Sequence, residues 1–389
     1  MGVYANTVSF IQFTVSGEAP TQDQFTWFSE KLARLGFQSI ENSTEETSEG
    51  WTLVDRPDDA DFQAPGDFWR DNYLLFSLRR DQRKIPSAVL KSHTGREEGA
   101  FLAQHPNLRR TPKNKRQEVK ELVQVRLLAK CLPDPSSVDA VWDLKNGVLT
   151  LFSLGSKTIE RFEDMFRKTF EGCSLVMIHP YARAARLVDG AVLESLEKAN
   201  QANSDAATAL IRDNQWLGWD FMLWLLQRGI CGQGDFNICR PGHFGNGERF
   251  AAWIDDRIQL QGGGEEGGIQ KVSVSGSQDS YLEAISALKG GKRITSATIW
   301  MEKDDNLWKL TLKGETFGFA SFKSPQIRIE KDATVDEMSE REAAFYERMY
   351  LLEQGVQLFD SLFATFLKER LGEGWAVRTT EIQHWLEGK

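Results

Sequence analysis

Apolar residues in this chain come in short runs with two different spacings, and this restricts the fold to one built from both strands and helices. Val8, Phe10, Ile11, Phe13 and Val15 nearly alternate, as a half-buried strand requires. Phe25, Phe28, Leu32 and Leu35 then recur three and four apart, with Pro20-Thr21 before them as a plausible cap and Gly36 after them as a stop. Further strand-like runs follow at 51–54 and 72–80. Helical stretches are expected from Pro86 to about 104 and from Thr111-Pro112 to about Lys130, with Thr111 as N-cap and Pro112 at the first helical position.

Beyond these helices, 137–144 and 148–154 read as a hairpin around Lys145-Asn146-Gly147, because Asn-Gly suits a tight turn with positive φ. A helix at 156–171 and a strand at 174–179 follow. Residues 183–210 look like a helical connector, and 215–228 form a strongly apolar helix. A flexible Gly-rich loop at 262–268, a helix at 279–289, strands at 293–302, 306–313 and 317–323, and a long helix at 339–371 complete the pattern. The fold class is α+β, with mixed or antiparallel sheets and long helices. Three regions are expected: an N-terminal module (1–185), a connector (186–275) holding the apolar Trp-rich helix and the Gly-rich loop, and a C-terminal module (276–389). Twelve Trp and 24 Phe supply the bulk of a large core, since aromatic side chains bury the most area per residue.

No apolar run approaches the roughly 20 residues that span a bilayer, so no membrane is expected. The segment before Val8 has no Lys or Arg, unlike a signal peptide. The four cysteines, Cys131, Cys173, Cys231 and Cys239, are too few for a disulfide scaffold and fit a reducing cytoplasm.

Charge is the functional clue. The chain carries a net charge of −9, yet residues 79–130 hold fourteen Lys or Arg against five acids, a local +9 that leaves −18 elsewhere. Residues 41–71 are the reverse, with ten acids against Arg56 and Arg70. Such asymmetry suits a local field for a polyanion on a soluble body. Clustered bases neutralise phosphates and release counterions. Lys113, Arg116 and Lys120 share one helical stripe. The ordinary alternative, a charge-balanced solvated face, needs acids three or four positions away, and few are present. No zinc-finger, RNP-type or helix-turn-helix pattern accompanies the cluster, so contact is expected with backbone and shape rather than base edges.

Other motifs are weaker. Pro133-Asp134 and Asp143-Leu144-Lys145 match the spacing of a PD-(D/E)xK nuclease, in which two carboxylates hold a metal. That pattern is short, and Lys145 falls in a turn. Cys231, Cys239 and His243 lack a fourth ligand and read as loop residues. Trp216, Trp219, Phe221 and Trp224 suggest base stacking, but their apolar neighbours favour a buried helix. The Gly262–Gly268 run lacks the Lys and following helix of a phosphate cradle. The five histidines form no catalytic arrangement.

The order of features carries a resemblance. Lys84-Ile85-Pro86-Ser87-Ala88-Val89-Leu90-Lys91 opens the basic segment. The helix from Lys113 to Lys120 with Leu127 and Leu128, the Trp142-Asp143 strand, the Asn146-Gly147 turn and the strand leading to Pro180 follow. This resembles the recombination-associated RdgC family, in which a KILPS-x-V-(I/L)-K stretch leads through a basic helical region to a similar hairpin. Ala287-Leu288, Gly291-Lys292, Ile294 to Trp300, Trp308-Lys309-Leu310 and Phe319 to Lys323 are similar to its C-terminal half.

The resemblance implies a horseshoe-shaped subunit that dimerises into a ring. It implies sequence-independent binding of double-stranded DNA in a positive hole, a recombinase as a partner, and a cytoplasmic, nucleoid-associated location. The DNA-binding positions it carries over are Lys84, Lys91, Arg109, Arg110, Lys113, Lys115, Arg116 and Lys120. No enzymatic activity, catalytic residue, metal or cofactor is expected. Two departures stand out. Gly95, Gly99 and Pro106 are expected to break the family's charged helix within 93–107, and the middle, 185–280, is longer than in compact members. The alternatives are a Mg-dependent nuclease and an interaction protein whose acidic 41–71 stretch mimics DNA.

Overall fold

A computed structural model describes residues 2–388 except 18, 19, 21, 44, 265–266, 277–280 and 327–336; Thr21 and Glu265-Glu266 thus lie outside the described residues. In chain order the elements begin with β1 (Thr7–Ser16), α1 (Gln24–Arg34), β2 (Thr47–Thr52), α2 (Pro65–Phe68), β3 (Trp69–Arg70) and β4 (Tyr73–Gln82). The basic segment supplies α3 (Ser87–Gln104) and α4 (Lys113–Leu128). Then come β5 (Asp134–Asp143), β6 (Val148–Leu151), α5 (Ser156–Thr169), β7 (Ser174–Met177), α6 (Pro180–Leu187), α7 (Gly190–Ala199), α8 (Ala207–Asp213) and α9 (Trp216–Ile230). The remainder is β8 (Asp235–Asn237), β9 (Arg249–Gly264), β10 (Gly267–Ser275), α10 (Leu282–Lys289), β11 (Arg293–Lys303), β12 (Asn306–Lys313), β13 (Gly318–Lys323), α11 (Glu337–Arg370) and α12 (Trp375–Glu387). The α+β class therefore holds, and the ladders between these strands are antiparallel.

The chain divides into two compact units. The first takes Met1–Glu18, Ala140–Arg167 and Gly172–Lys389. Its strands run in the order β10-β9-β11-β12-β13-β1-β6-β5, with Ala140–Asp143 of β5 pairing with β6. Alternation along β12 sends Trp308, Leu310 and Leu312 to one side, where all three are fully buried. Helix α11 covers that side: the Trp308 indole N–H donates to the Leu351 carbonyl at 2.9 Å. Helix α9 joins it through Phe221, whose ring centroid lies 5.2 Å from Phe363, 5.5 Å from Phe366 and 5.9 Å from Phe359. Such edge-on aromatic packing adds to the area buried. It requires close backbone approach, for a Cβ on Gly218 would sit 2.2 Å from the Gly314 carbonyl oxygen.

The second unit takes Ala19–Asp139 and Lys168–Glu171. Here β4 lies between β2 and the first half of β5, and β3 pairs with the start of β4. Phe28, Phe68, Phe76 and Trp51 are fully buried, and the Trp51 indole donates to Thr169 Oγ1 at 2.7 Å. A sheet edge exposes unpaired peptide groups. The edge at β2 is closed by the preceding chain, because Trp51 N donates to Leu35 O and Phe37 N to Trp51 O, both at 2.9 Å.

Several sequence expectations need correction. Gly95 and Gly99 do not break the first charged helix, which runs unbroken from Ser87 to Gln104; only the turn at His105-Pro106 ends it. Helix α4 starts at Lys113, with Pro112 before it rather than inside it. The Thr111 hydroxyl makes no cap and is buried without a partner among the described residues. The connector at 183–210 is three short helices, and the glycines at 262–264 and 267–268 belong to paired strands rather than a loose loop. The Lys145-Asn146-Gly147 turn is as expected, with Gly147 at φ +62°. Helix α12 went unread because its apolar positions are sparse and only Ile382 is buried.

Candidate nucleic-acid interface

Helices α3 and α4 form an antiparallel hairpin within the second unit. Helix α3 buries none of its residues, while α4 buries only Val119, Val123 and Leu128. Val119 and Val123 lie one turn apart and anchor the middle of the helix, while Leu128 is buried separately at its C-terminal end.

The anchoring is completed by Arg83. Its buried guanidinium donates to the carbonyls of Leu128 (3.1 Å) and Cys131 (2.6 Å) at the end of α4, and to those of Ile40 (2.7 Å), Glu41 (3.1 Å) and Ser43 (3.1 Å). Arg79 is also buried and is held by Asp81 at 2.8 Å and by Asp58, with its guanidinium 4.4 Å from the Phe37 ring centroid. The hydrogen bonds it donates to Asp81 and then to Asp58 raise its pKa above the ordinary value, against the opposing effect of burial. These two arginines belong to the basic segment in sequence, but they are committed to the fold.

What remains is directed to solvent. Lys84, Lys91, Arg109, Arg110, Lys113 and Lys120 are exposed, and none makes an ion pair among the described residues. Lys91 is on α3, Lys84 precedes it, Arg109 and Arg110 occupy the connection, and Lys113 and Lys120 are on α4. Two expected site residues differ. Lys115 is half-buried, paired with Glu118 at 2.6 Å and placed 5.8 Å from the Phe101 ring centroid. Arg116 is exposed but paired with Glu98 at 3.1 Å, across from α4 to α3. Arg126 likewise reaches Glu97 at 2.7 Å, and Glu121 accepts from the Gln117 amide at 2.7 Å. Three of the hairpin's four acids are therefore neutralised by its own bases, and the six unpaired bases outnumber the charge that Glu121 keeps.

The acidic stretch is less available than its composition suggested. Asp55 pairs with Arg70, Asp58 with Arg79, and Asp59 and Asp67 with Arg56. Asp143 and Lys145 of the nuclease-like motif sit at a turn, where the Asp143 carboxylate accepts the backbone N–H groups of Lys145 (3.0 Å) and Asn146 (3.1 Å). Asp134 belongs to the other unit and is exposed. Cys239 contacts the Ser361 carbonyl, and His243 pairs with Glu353 at 2.7 Å. Among the described residues no His, Cys, Asp and Glu group is arranged to hold a metal. Trp216, Phe221 and Trp224 are core residues, as their apolar setting implied.

In the first unit, a cavity of about 350 Å³ is lined in part by Gln12, Arg183, Arg186, His243, Glu353 and Asp360. Its polar groups mainly serve one another: Arg183 pairs with Asp360 and Gln12, and Arg186 donates to Thr14 at 2.8 Å. Sequence reading missed a different feature of this unit, the cross-strand pair Trp253 and Trp300, because two single tryptophans 47 positions apart form no local pattern. No helix among the described residues is long and apolar enough to cross a membrane.

The chain matches no curated protein. The model of one family, described as "Putative exonuclease, RdgC", matches residues 12–188, a stretch that contains the whole α3–α4 hairpin. The protein is thus RdgC-like, and the likeness runs over residues 12–188.

Proposed function

We propose that this protein binds double-stranded DNA without sequence preference, through phosphate contacts made by the α3–α4 hairpin, and is not an enzyme. The observation that carries the reading is the hairpin's charge arrangement. Glu118, Glu98 and Glu97 are neutralised by Lys115, Arg116 and Arg126, leaving only Glu121 against Lys84, Lys91, Arg109, Arg110, Lys113 and Lys120, which are exposed and unpaired among the described residues. Unpaired bases on a solvated helical pair are what counterion release requires. Lys113, at the start of α4, and Lys120, two turns on, lie on one side of that helix.

The RdgC likeness supports a DNA-associated role related to recombination. In this reading the protein acts as a homodimer that encloses the duplex and restrains a recombinase on it. Self-association is supported by apolar side chains left uncovered beside the basic groups: Leu122 is 56% exposed and Val125 68% exposed, one turn apart on α4. Apolar positions clustered in this way mark interaction surfaces more often than scattered ones do.

The family's description as an exonuclease favours a second reading, nuclease activity, for which the Pro133-Asp134 and Asp143-Leu144-Lys145 motifs would supply a Mg-dependent site using Asp143. One experiment addresses both. A gel-shift titration on a duplex, with and without Mg²⁺, is made on the wild-type chain and on the Lys113→Glu, Arg116→Glu, Lys120→Glu triple variant. The DNA-binding reading expects Mg-independent binding, loss of at least tenfold in the triple variant on every duplex tested, and intact DNA throughout. Cleavage that requires Mg²⁺ and vanishes in Asp143→Ala would replace it with the nuclease reading.

A further inference from the structure

Beside α5 the first unit holds a second cavity, of about 500 Å³. A row of cross-strand partners contributes Gln259 from β9, Ser296 from β11 and Lys313 from β12. Their chain neighbours Ile258, Ala297 and Leu312 point the other way and are buried. Helix α5 contributes Glu160 and Glu163, one turn apart on the same face. Glu315, in the turn between β12 and β13, lines the cavity too, so three carboxylates stand against the single base Lys313. Ile11, Ile159 and Met177 supply apolar lining. The size falls in the range of about 300–1,000 Å³ that small-molecule sites occupy.

In the cavity around Arg183 the charges pair with one another. Here they do not. Glu160, Glu163 and Glu315 form no ion pair among the described residues, and Arg167, one turn from Glu163, is taken by Asp164 at 2.6 Å. Glu163 is half-buried. Burial, then the charges of Asp164 and Glu160, push its carboxyl above the ordinary value. A charge withdrawn from water without a partner is destabilising. Ser296 repeats the pattern: it is 8% exposed, and its hydroxyl makes no hydrogen bond among the described residues. Buried hydroxyls ordinarily have a partner. Folding leaves both groups unexplained; a cationic N–H donor in the cavity accounts for both.

The lining also sets the length of that donor. Among the described residues no three His, Cys, Asp or Glu side chains are gathered closely enough to hold one metal ion. Carboxylates spread over α5 and the β12–β13 turn, with apolar side chains in the same lining, suit a longer cation. An alkylammonium chain offers three N–H donors at each end and methylenes that cover apolar surface. We propose that this cavity binds an aliphatic polyamine. One ammonium group sits between Glu160 and Glu163 and donates to the Ser296 hydroxyl, a second meets Glu315, and the methylenes lie against Ile11, Ile159 and Met177. The site lies in the first unit and does not depend on the α3–α4 hairpin.

The test is calorimetric titration of the full chain, without DNA, with spermidine, with n-butylamine and with Mg²⁺ at matched ionic strength. Spermidine is expected to bind saturably at one site per chain, and butylamine, which has a single ammonium group, about tenfold more weakly or worse. Glu160→Gln/Glu163→Gln should weaken spermidine binding about tenfold or more, through the loss of charge-assisted hydrogen bonds. The same variant should melt no lower than the wild type, because it removes an unpaired, half-buried charge. Ser296→Ala should weaken binding about fivefold, the loss of one hydrogen bond. Glu45→Gln/Glu46→Gln removes as much charge from exposed positions in the other unit and should bind spermidine as the wild type does. An equal loss in that control, or displacement of spermidine by Mg²⁺ at matched ionic strength, would reduce the binding to a counterion atmosphere and overturn the site. Butylamine binding as tightly as spermidine, or unchanged affinity in Glu160→Gln/Glu163→Gln, would overturn it as well. None of these outcomes bears on duplex binding, which is assigned to the other unit.

Discussion

Arg83 donates to five main-chain carbonyls, and this separates its role from that of the bases around it. Buried acceptors left without donors cost about 1–3 kcal/mol each, less where water enters. Arg83→Met is therefore expected to lower unfolding free energy by about 3 kcal/mol in urea denaturation, and to loosen the end of α4 first, seen as faster amide exchange at Leu128 to Cys131. A second residue-scale prediction concerns His179, which is 2% exposed and whose pKa burial pushes down to about 4 from 6.5. The unfolded state then binds more protons between these values. Its contribution to stability is complete above about pH 6.5 and is lost as pH falls towards 4, by about 3 kcal/mol at most. Comparing unfolding of the wild type and His179→Gln at pH 7 and pH 4.5 isolates it from the carboxylates: the difference between the two proteins should shrink or reverse at the lower pH. A difference independent of pH would contradict the burial argument.

At the scale of elements, the hairpin's four acids set how much positive field it presents. Glu97 and Glu98 on α3 hold Arg126 and Arg116 of α4. Exposed pairs of this kind contribute only about 0–1 kcal/mol to stability. The double variant Glu97→Gln/Glu98→Gln should fold normally yet bind a duplex several-fold more tightly, because two arginines are released to phosphate. A gel shift at fixed salt reads this directly, and unchanged affinity would show that the α3 side faces away from DNA. Both hairpin helices were legible in the sequence, since Pro86, His105-Pro106 and Pro112 punctuate them. Which bases are available was not. Arg79 and Arg83 are indistinguishable from Lys84 by composition, and only partners brought from other segments, Pro57 and Asp58 for Arg79 and the carbonyls of Ile40 and Cys131 for Arg83, mark them as structural. The charged-helix break expected at Gly95 and Gly99 failed because each glycine costs a helix only about 1 kcal/mol, too little to interrupt the 18 residues from Ser87 to Gln104. The Trp253–Trp300 row was invisible because register, not spacing along the chain, creates it.

At the scale of the whole molecule, a chain of net charge −9 carries a cluster of exposed, unpaired bases on and beside one helical hairpin. The negative remainder should repel a polyanion from elsewhere on the surface and so orient its approach. The central claim is that binding consists of phosphate neutralisation by these groups. Each neutralised phosphate contributes about −0.9 to the slope of log affinity against log salt. The decisive measurement is that slope on a duplex, for the wild type and for the Lys113→Glu/Arg116→Glu/Lys120→Glu variant. The account predicts a straight line with a slope of roughly −4 to −6 for the wild type, independent of duplex sequence, and a markedly shallower line for the variant. A flat wild-type line, or the same slope in both proteins, would contradict it.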